Sequence, residues 1–152
     1  MKSLYILLII LCHALNSQAQ TQNEYIIDYK DPSSVVNAIF EAAKTGRFIL
    51  LAGLCDPMRE NDGDTRRLCA ISDYSDHPEL YGGLAQTKKQ KKEFTMAFSK
   101  GRITGPVTIH QKEGGLQAAE VPIEFSRYAD KPAIPETMWL INRNGNWYLG
   151  SF

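Results

Sequence analysis

Histidine and cysteine are scarce in this 152-residue chain, at three of each, and long apolar runs are scarcer still. Beyond Leu11 no uninterrupted apolar stretch approaches the roughly 20 residues that a bilayer-crossing helix needs, so no stable membrane anchor is expected. An excess of either charge is also missing. Lys and Arg number 17 and Asp and Glu 17, a balance that implies neither nucleic acid nor an anionic membrane surface as partner. The chain has no phosphate-cradling Gly-rich loop and no Gly-x-Ser-x-Gly elbow, which removes the commonest nucleotide-binding and esterase signatures. Cys-x-x-Cys and His-x-x-x-His spacings are absent too, so zinc has no recognisable ligand set and no cofactor is expected.

Charge is nearly absent from the first 23 residues, where Lys2 stands alone before the apolar run Leu4 to Leu11. Ser17-Gln18-Ala19 then offers small residues at the two positions a signal peptidase reads, and polar Gln20 to Asn23 follow. Residues 1–19 therefore read as a cleavable signal peptide, with export to the periplasm or the medium. Cys12 raises the alternative of a lipidated anchor, but that pattern asks for a small residue before the Cys, and Leu11 is large. Cleavage after Ala19 removes one Lys and no acid, leaving 16 basic against 17 acidic side chains. Residues 20–30 form an extension, and residues 31–152 suffice for one domain.

Cys12 leaves with the signal, so Cys55 and Cys69 remain as an even pair bound for an oxidising compartment. One bridge is possible within the chain, and a structural disulfide between them is the expectation.

Asp31-Pro32 followed by apolar residues at Val35, Val36, Ile39, Phe40 and Ala43, and closed by Gly46, predicts a capped amphipathic helix. Phe48 to Leu54 is apolar nearly all round and predicts a short buried helix stopped by Asp56-Pro57. A further short helix is predicted to start at an Asp64 cap and to carry Cys69. Another runs from Thr87 to Gly101 with Lys88, Lys89, Lys91 and Lys92 outward and Phe94, Ala97 and Phe98 inward. Beyond Gly101 the period falls to two. Val107 and Ile109 alternate with polar neighbours, Gly114-Gly115 marks a turn, and Ala119, Val121, Ile123 and Phe125 share one face. Pro122 within that run argues for an edge strand or a bulge. Asn144-Gly145 between two β-rich runs is a strong hairpin signal. The class is therefore α+β: N-terminal helices covering one face of an antiparallel sheet of about four strands.

The capped helix ending at Gly46, the stop Leu54-Cys55-Asp56-Pro57 and the closing stretch Trp139 to Leu149 resemble the nuclear-transport-factor-like (cystatin-like α+β cone) superfamily, especially its exported bacterial, uncharacterised and lipoprotein-like members. The resemblance covers roughly residues 31–152 and rests on short motifs. It implies a strongly curved sheet wrapped around the helices, with a pocket at the wide end of the cone. Enzymes of the superfamily commonly work there with an Asp or an Asp–His pair, sometimes with Tyr.

No such acid–His pair can be aligned here. Asp56, Tyr74, His77, Trp139 and Tyr148 are the residues that could face a pocket, each with a plainer reading beside it. Asp56-Pro57 is also a helix stop, Tyr74 and His77 sit in a turn-rich loop, and aromatic residues in a terminal hairpin commonly fill a core. His110, in strand alternation, reads as a solvated strand residue. Glu60-Asn61-Asp62-Gly63-Asp64 is not a calcium loop, because Gly63 at the sixth position would put Cys69 where the twelfth-position carboxylate belongs. Three classes of function stay open: a non-catalytic domain binding a small ligand or a protein partner; a small-molecule isomerase, dehydratase or hydrolase; and a dimerising structural or immunity-type protein.

Overall fold

A computed structural model of the chain describes residues 25–73, 77–128 and 131–151. The expected signal peptide, its cleavage point and Tyr74 lie outside the described residues. The first helix, α1 (Pro32–Thr45), has the capping that its sequence predicts: Asp31 accepts the Ser33 N–H at 2.8 Å, and Gly46 closes the helix at φ +72° with its own N–H on Ala42 O. Val35, Val36, Ala38, Ile39, Phe40, Ala42 and Ala43 are all buried, so the helix is covered on most of its circumference.

The next segment departs from expectation. Phe48–Leu51 is a single 3-10 turn, and Ile49 stands 68% exposed although its neighbours Leu50 and Leu51 are buried. The three-residue turn places fewer faces inward than an α-helix would. Cys55 does not end a helix; it forms a parallel bridge with Leu149 on extended backbone. Helix α2 (Gly63–Ala70) starts earlier than predicted, with Asp62 rather than Asp64 as the cap: its Oδ1 accepts the Thr65 N–H at 2.7 Å. Asp62 is held there because its own N–H reaches Gly150 O at 3.1 Å. Helix α3 (Leu84–Phe98) begins three residues before Thr87, because Gly82 and Gly83, at φ +86° and +88°, turn the chain directly into it. Phe94 and Phe98 point inward as predicted, and Lys91 lies over the Phe48 ring at 5.0 Å.

Against the about four strands expected, the antiparallel sheet has five among the described residues: β1 (Arg102–Ile103), β2 (Thr108–Gln111), β3 (Gln117–Phe125), β4 (Ile134–Arg143) and β5 (Asn146–Ser151). Strand β3 pairs with β4 on one side and with both β1 and β2 on the other; β5 lies outside β4. Pro122 is thus in a central strand, not at an edge. Strand β1 pairs with residues 123–124 and β2 with residues 117–120, and Pro122 O accepts the Thr104 N–H at 2.9 Å in the interval between them. A strand residue points N and O to the same side, so the missing Pro122 N–H faces the break between β1 and β2.

Alternation along the strands puts Ala119, Val121, Ile123, Phe125, Met138, Leu140, Trp147 and Leu149 on the helix-covered face, where all eight are buried. Packing of α1 and α3 against that face makes one apolar core, and its interior includes the stacked pair Phe98–Phe125 at 4.8 Å. The opposite face carries His110, Glu120, Trp139 and Tyr148. The β4–β5 turn has Asn144 at φ +56° and Gly145 at φ +85°, both left-handed as a two-residue hairpin requires, and Asn142 Oδ1 accepts the Gly145 N–H.

Candidate functional site

The loop between the 3-10 turn and α2 is bound to the outer edge of β5. Leu149 N–H donates to Leu54 O at 2.7 Å, Asp56 N–H returns to Leu149 O, and Asp62 N–H reaches Gly150 O. An edge strand that would otherwise present unpaired backbone is thereby covered. The Cys55–Cys69 disulfide, with Cα atoms 6.1 Å apart, fastens α2 to this same edge segment.

Asp56 anchors the loop a second time. Its carboxylate is buried and receives two Arg143 hydrogen bonds, Nε to Oδ1 at 3.1 Å and Nη2 to Oδ2 at 2.8 Å, while Oδ1 also accepts the Met58 N–H. Arg143 Nη2 donates further to Glu60 Oε2 at 2.7 Å. Burial by itself would push the Asp56 carboxyl up, but the Arg143 hydrogen bonds, the Met58 and Glu60 N–H groups and the guanidinium charge outweigh it and hold Asp56 below the usual carboxylate range. Arg143 is correspondingly raised above its ordinary value by Asp56 and Glu60. With both Asp56 oxygens engaged by Arg143, this cluster ties the loop to the end of β4.

The residues singled out from sequence are spread over separate places. Asp56 faces a cavity of about 590 Å³ that also touches both disulfide cysteines. His77 is exposed on the loop before the 3-10 turn Pro78–Tyr81, with Nδ1 3.5 Å from Glu79 Oε1. Trp139 lies on the face of the sheet opposite the apolar core, its ring 5.4 Å from His110, and Tyr148 packs at 5.9 Å on Tyr29. His110, read as simply solvated, pairs through Nε2 with Glu120 Oε2 at 3.1 Å on that same face.

A second cavity, about 790 Å³, opens elsewhere, between α2, α3 and the β3–β4 end of the sheet. Its floor is apolar: Leu68 from α2, Ile71 just after it, Phe94, Ala97 and Phe98 from α3, and Phe125 from β3. Phe94, Phe98 and Phe125 form a chain of ring contacts, with centroids 5.2 Å apart for the first pair and 4.8 Å for the second. Around it stand Asp64, Arg67, Glu93, Arg127 and Glu136, and Gln90 contributes a side-chain oxygen that is buried without a hydrogen-bond partner. Such an acceptor costs about 1–3 kcal/mol when it stays unsatisfied. Sequence reasoning found Phe94 and Phe98 as an inner stripe and Phe125 as a core position. It missed Gln90 and the cavity, because nothing local says that an α3 glutamine will face the end of β3.

Among the described residues, no cluster of three or more His, Cys, Asp and Glu side chains is placed to hold a metal, and no helix is long and apolar enough to cross a membrane. Comparison of the chain with protein-family models, curated proteins and solved structures returns no match.

Proposed function

We propose that the protein is an exported, non-catalytic binding domain on a cone-like α+β scaffold of the nuclear-transport-factor-like kind, with a small ligand held between α2, α3 and the end of β3. The observation that carries this reading is the 790 Å³ cavity, floored by the Phe94–Phe98–Phe125 cluster and bordered by a polar ring. Its size and its apolar floor are those of a small-molecule site. Among the described residues the histidine–carboxylate contacts, His77–Glu79 and His110–Glu120, lie away from it, which favours binding over acid–base chemistry. Export is supported by the Lys2, apolar-run and Ser17-Gln18-Ala19 pattern together with the Cys55–Cys69 bridge, since disulfides persist in oxidising compartments.

Ligand-observed NMR with small aromatic alcohols and amines tests the cavity. Binding in the millimolar range or tighter is expected, and Ala97→Phe, which fills the cleft from α3, should abolish it while leaving the fold intact. Binding that survives Ala97→Phe, or no binding at all, counts against the reading. Intact mass of the exported protein should show a chain starting at Gln20; a lipidated species starting at Cys12 would overturn the soluble form.

A second reading, pairing of two copies through the face of the sheet opposite the apolar core, is favoured by Trp139, Ile141 and Tyr148 standing half-buried there with no helix among the described residues over them. Sedimentation velocity decides it: a monomer at all concentrations that a Trp139→Lys variant does not change ends this alternative.

A further inference from the structure

We propose that the ligand of this cavity is a cationic amphiphile: an aromatic or branched apolar body carrying an ammonium or other charged N–H group. The inference rests on the reading that the cavity is a ligand site, and deepens it by naming the chemistry.

Two features of the lining point to a positively charged donor. The first is charge. Asp64, Glu93 and Glu136 border the cavity against Arg67 and Arg127, so carboxylates outnumber guanidiniums. Both arginines have carboxylate neighbours on the same border, Arg67 Nη1 at 3.2 Å from Asp64 Oδ1 and Arg127 Nη2 at 3.9 Å from Glu136 Oε2. The third acid, Glu93, reaches only Lys89 at 3.8 Å. Lys89 lies outside the lining, and the pair is solvent-exposed and hence weak. The lining itself thus carries one more carboxylate than guanidiniums.

The second feature is hydrogen bonding. Gln90 sits one turn before Phe94 on α3, on the same cavity wall, and its side-chain oxygen is a desolvated acceptor with nothing donating to it. An acceptor in that state is compensated by a donor and penalised by a carboxylate or ether oxygen. Charge and hydrogen bonding thus select the same head group, while the Phe94–Phe98–Phe125 floor selects an apolar body for which rings are good partners. An ammonium close to these ring faces also gains cation–π attraction.

Three compounds sharing one body separate these effects: 3-phenylpropylamine, 3-phenylpropanol and 3-phenylpropanoate, titrated into the purified chain near pH 7 by calorimetry or ligand-observed NMR. The amine should bind about tenfold tighter than the carboxylate, with the alcohol between, and the gap should narrow as salt is raised. Glu93→Gln should narrow it further by weakening the amine alone. Gln90→Met, of similar shape but without the acceptor, should weaken amine and alcohol by about fivefold and leave the carboxylate unchanged. Melting curves of both variants establish that the fold persists. Equal or tighter binding of the carboxylate overturns the proposal while the cavity reading stands. A preference for the amine that neither substitution alters overturns the assignment to this cavity. Failure of all three compounds to bind overturns both.

Discussion

Arg143 and Asp56 are 87 positions apart in the chain and meet as a two-pronged pair, with Nη2 2.8 Å from Oδ2 and Nε 3.1 Å from Oδ1. The contact ties the end of β4 to the loop that covers β5, and its carboxylate is inaccessible to water. Removing one member of such a pair strands the other. Arg143→Met should therefore destabilise the fold by about 3–5 kcal/mol in urea unfolding, and Asp56→Asn with Arg143→Met together by less than the sum of the single changes. A loss under about 1 kcal/mol for Arg143→Met would show that the loop is held by its backbone bonds alone.

The same pair makes the protein acid-labile. Asp56 titrates below its ordinary value in the folded chain, so the unfolded chain binds the proton first as pH falls. The stabilisation is complete above the unfolded carboxylate value, shrinks as pH drops below it, and is gone once pH passes the folded value. Thermal midpoints should thus fall as pH drops below the ordinary carboxylate value of about 4, and the Asp56→Asn, Arg143→Met double variant should show a shallower fall. Parallel acid curves for the two proteins would contradict the assignment.

The disulfide closes a loop of sequence separation 14 and links α2 to the edge of β5. Chain-entropy reasoning gives about 3 kcal/mol for a loop of this size. Cys69→Ser should lower stability by roughly that amount without changing ligand binding, since neither cysteine lines the large cavity. Thiol titration of the unfolded chain before and after reduction should rise by two; no rise would mean that the cysteines are not joined.

Two glycines should be intolerant for different reasons. Gly145→Val forces a β-branched residue to φ +85° at the hairpin and should cost about 1–3 kcal/mol. Gly101 has ordinary backbone, but a Cβ there would fall within 2.5 Å of Phe40 Cδ1, and Phe40 is buried on α1. Gly101→Ala should cost a similar amount through overpacking. Chemical denaturation measures both, and a neutral Gly101→Ala would mean that α1 can shift away from the start of β1.

The hairpin, the caps of α1 and the buried face of β3 were legible in the sequence because each depends on neighbours within a few residues. Positive φ at Asn144-Gly145, the Asp31 cap and the period-two row Ala119 to Phe125 are local conditions, and the structure meets them. The bridge between Cys55 and Cys69 was legible from an even count of cysteines beside an export pattern. Where a boundary depended on a distant partner, local reasoning slipped. The cap of α2 fell on Asp62 because Gly150 holds that residue, and Pro122 sits in a central strand because its partner strand breaks opposite it.

The sequence by itself thus determined the α+β class, the helix-covered face of the sheet and the pairing of its cysteines, since periodicity and turn chemistry act over one or two turns of chain. Only the tertiary structure decided that Asp56 is neutralised by Arg143 and that Gln90 faces the same cavity as Phe125. Those contacts join residues tens of positions apart, and their free energies come from burial that exists only after the helices have closed over the sheet.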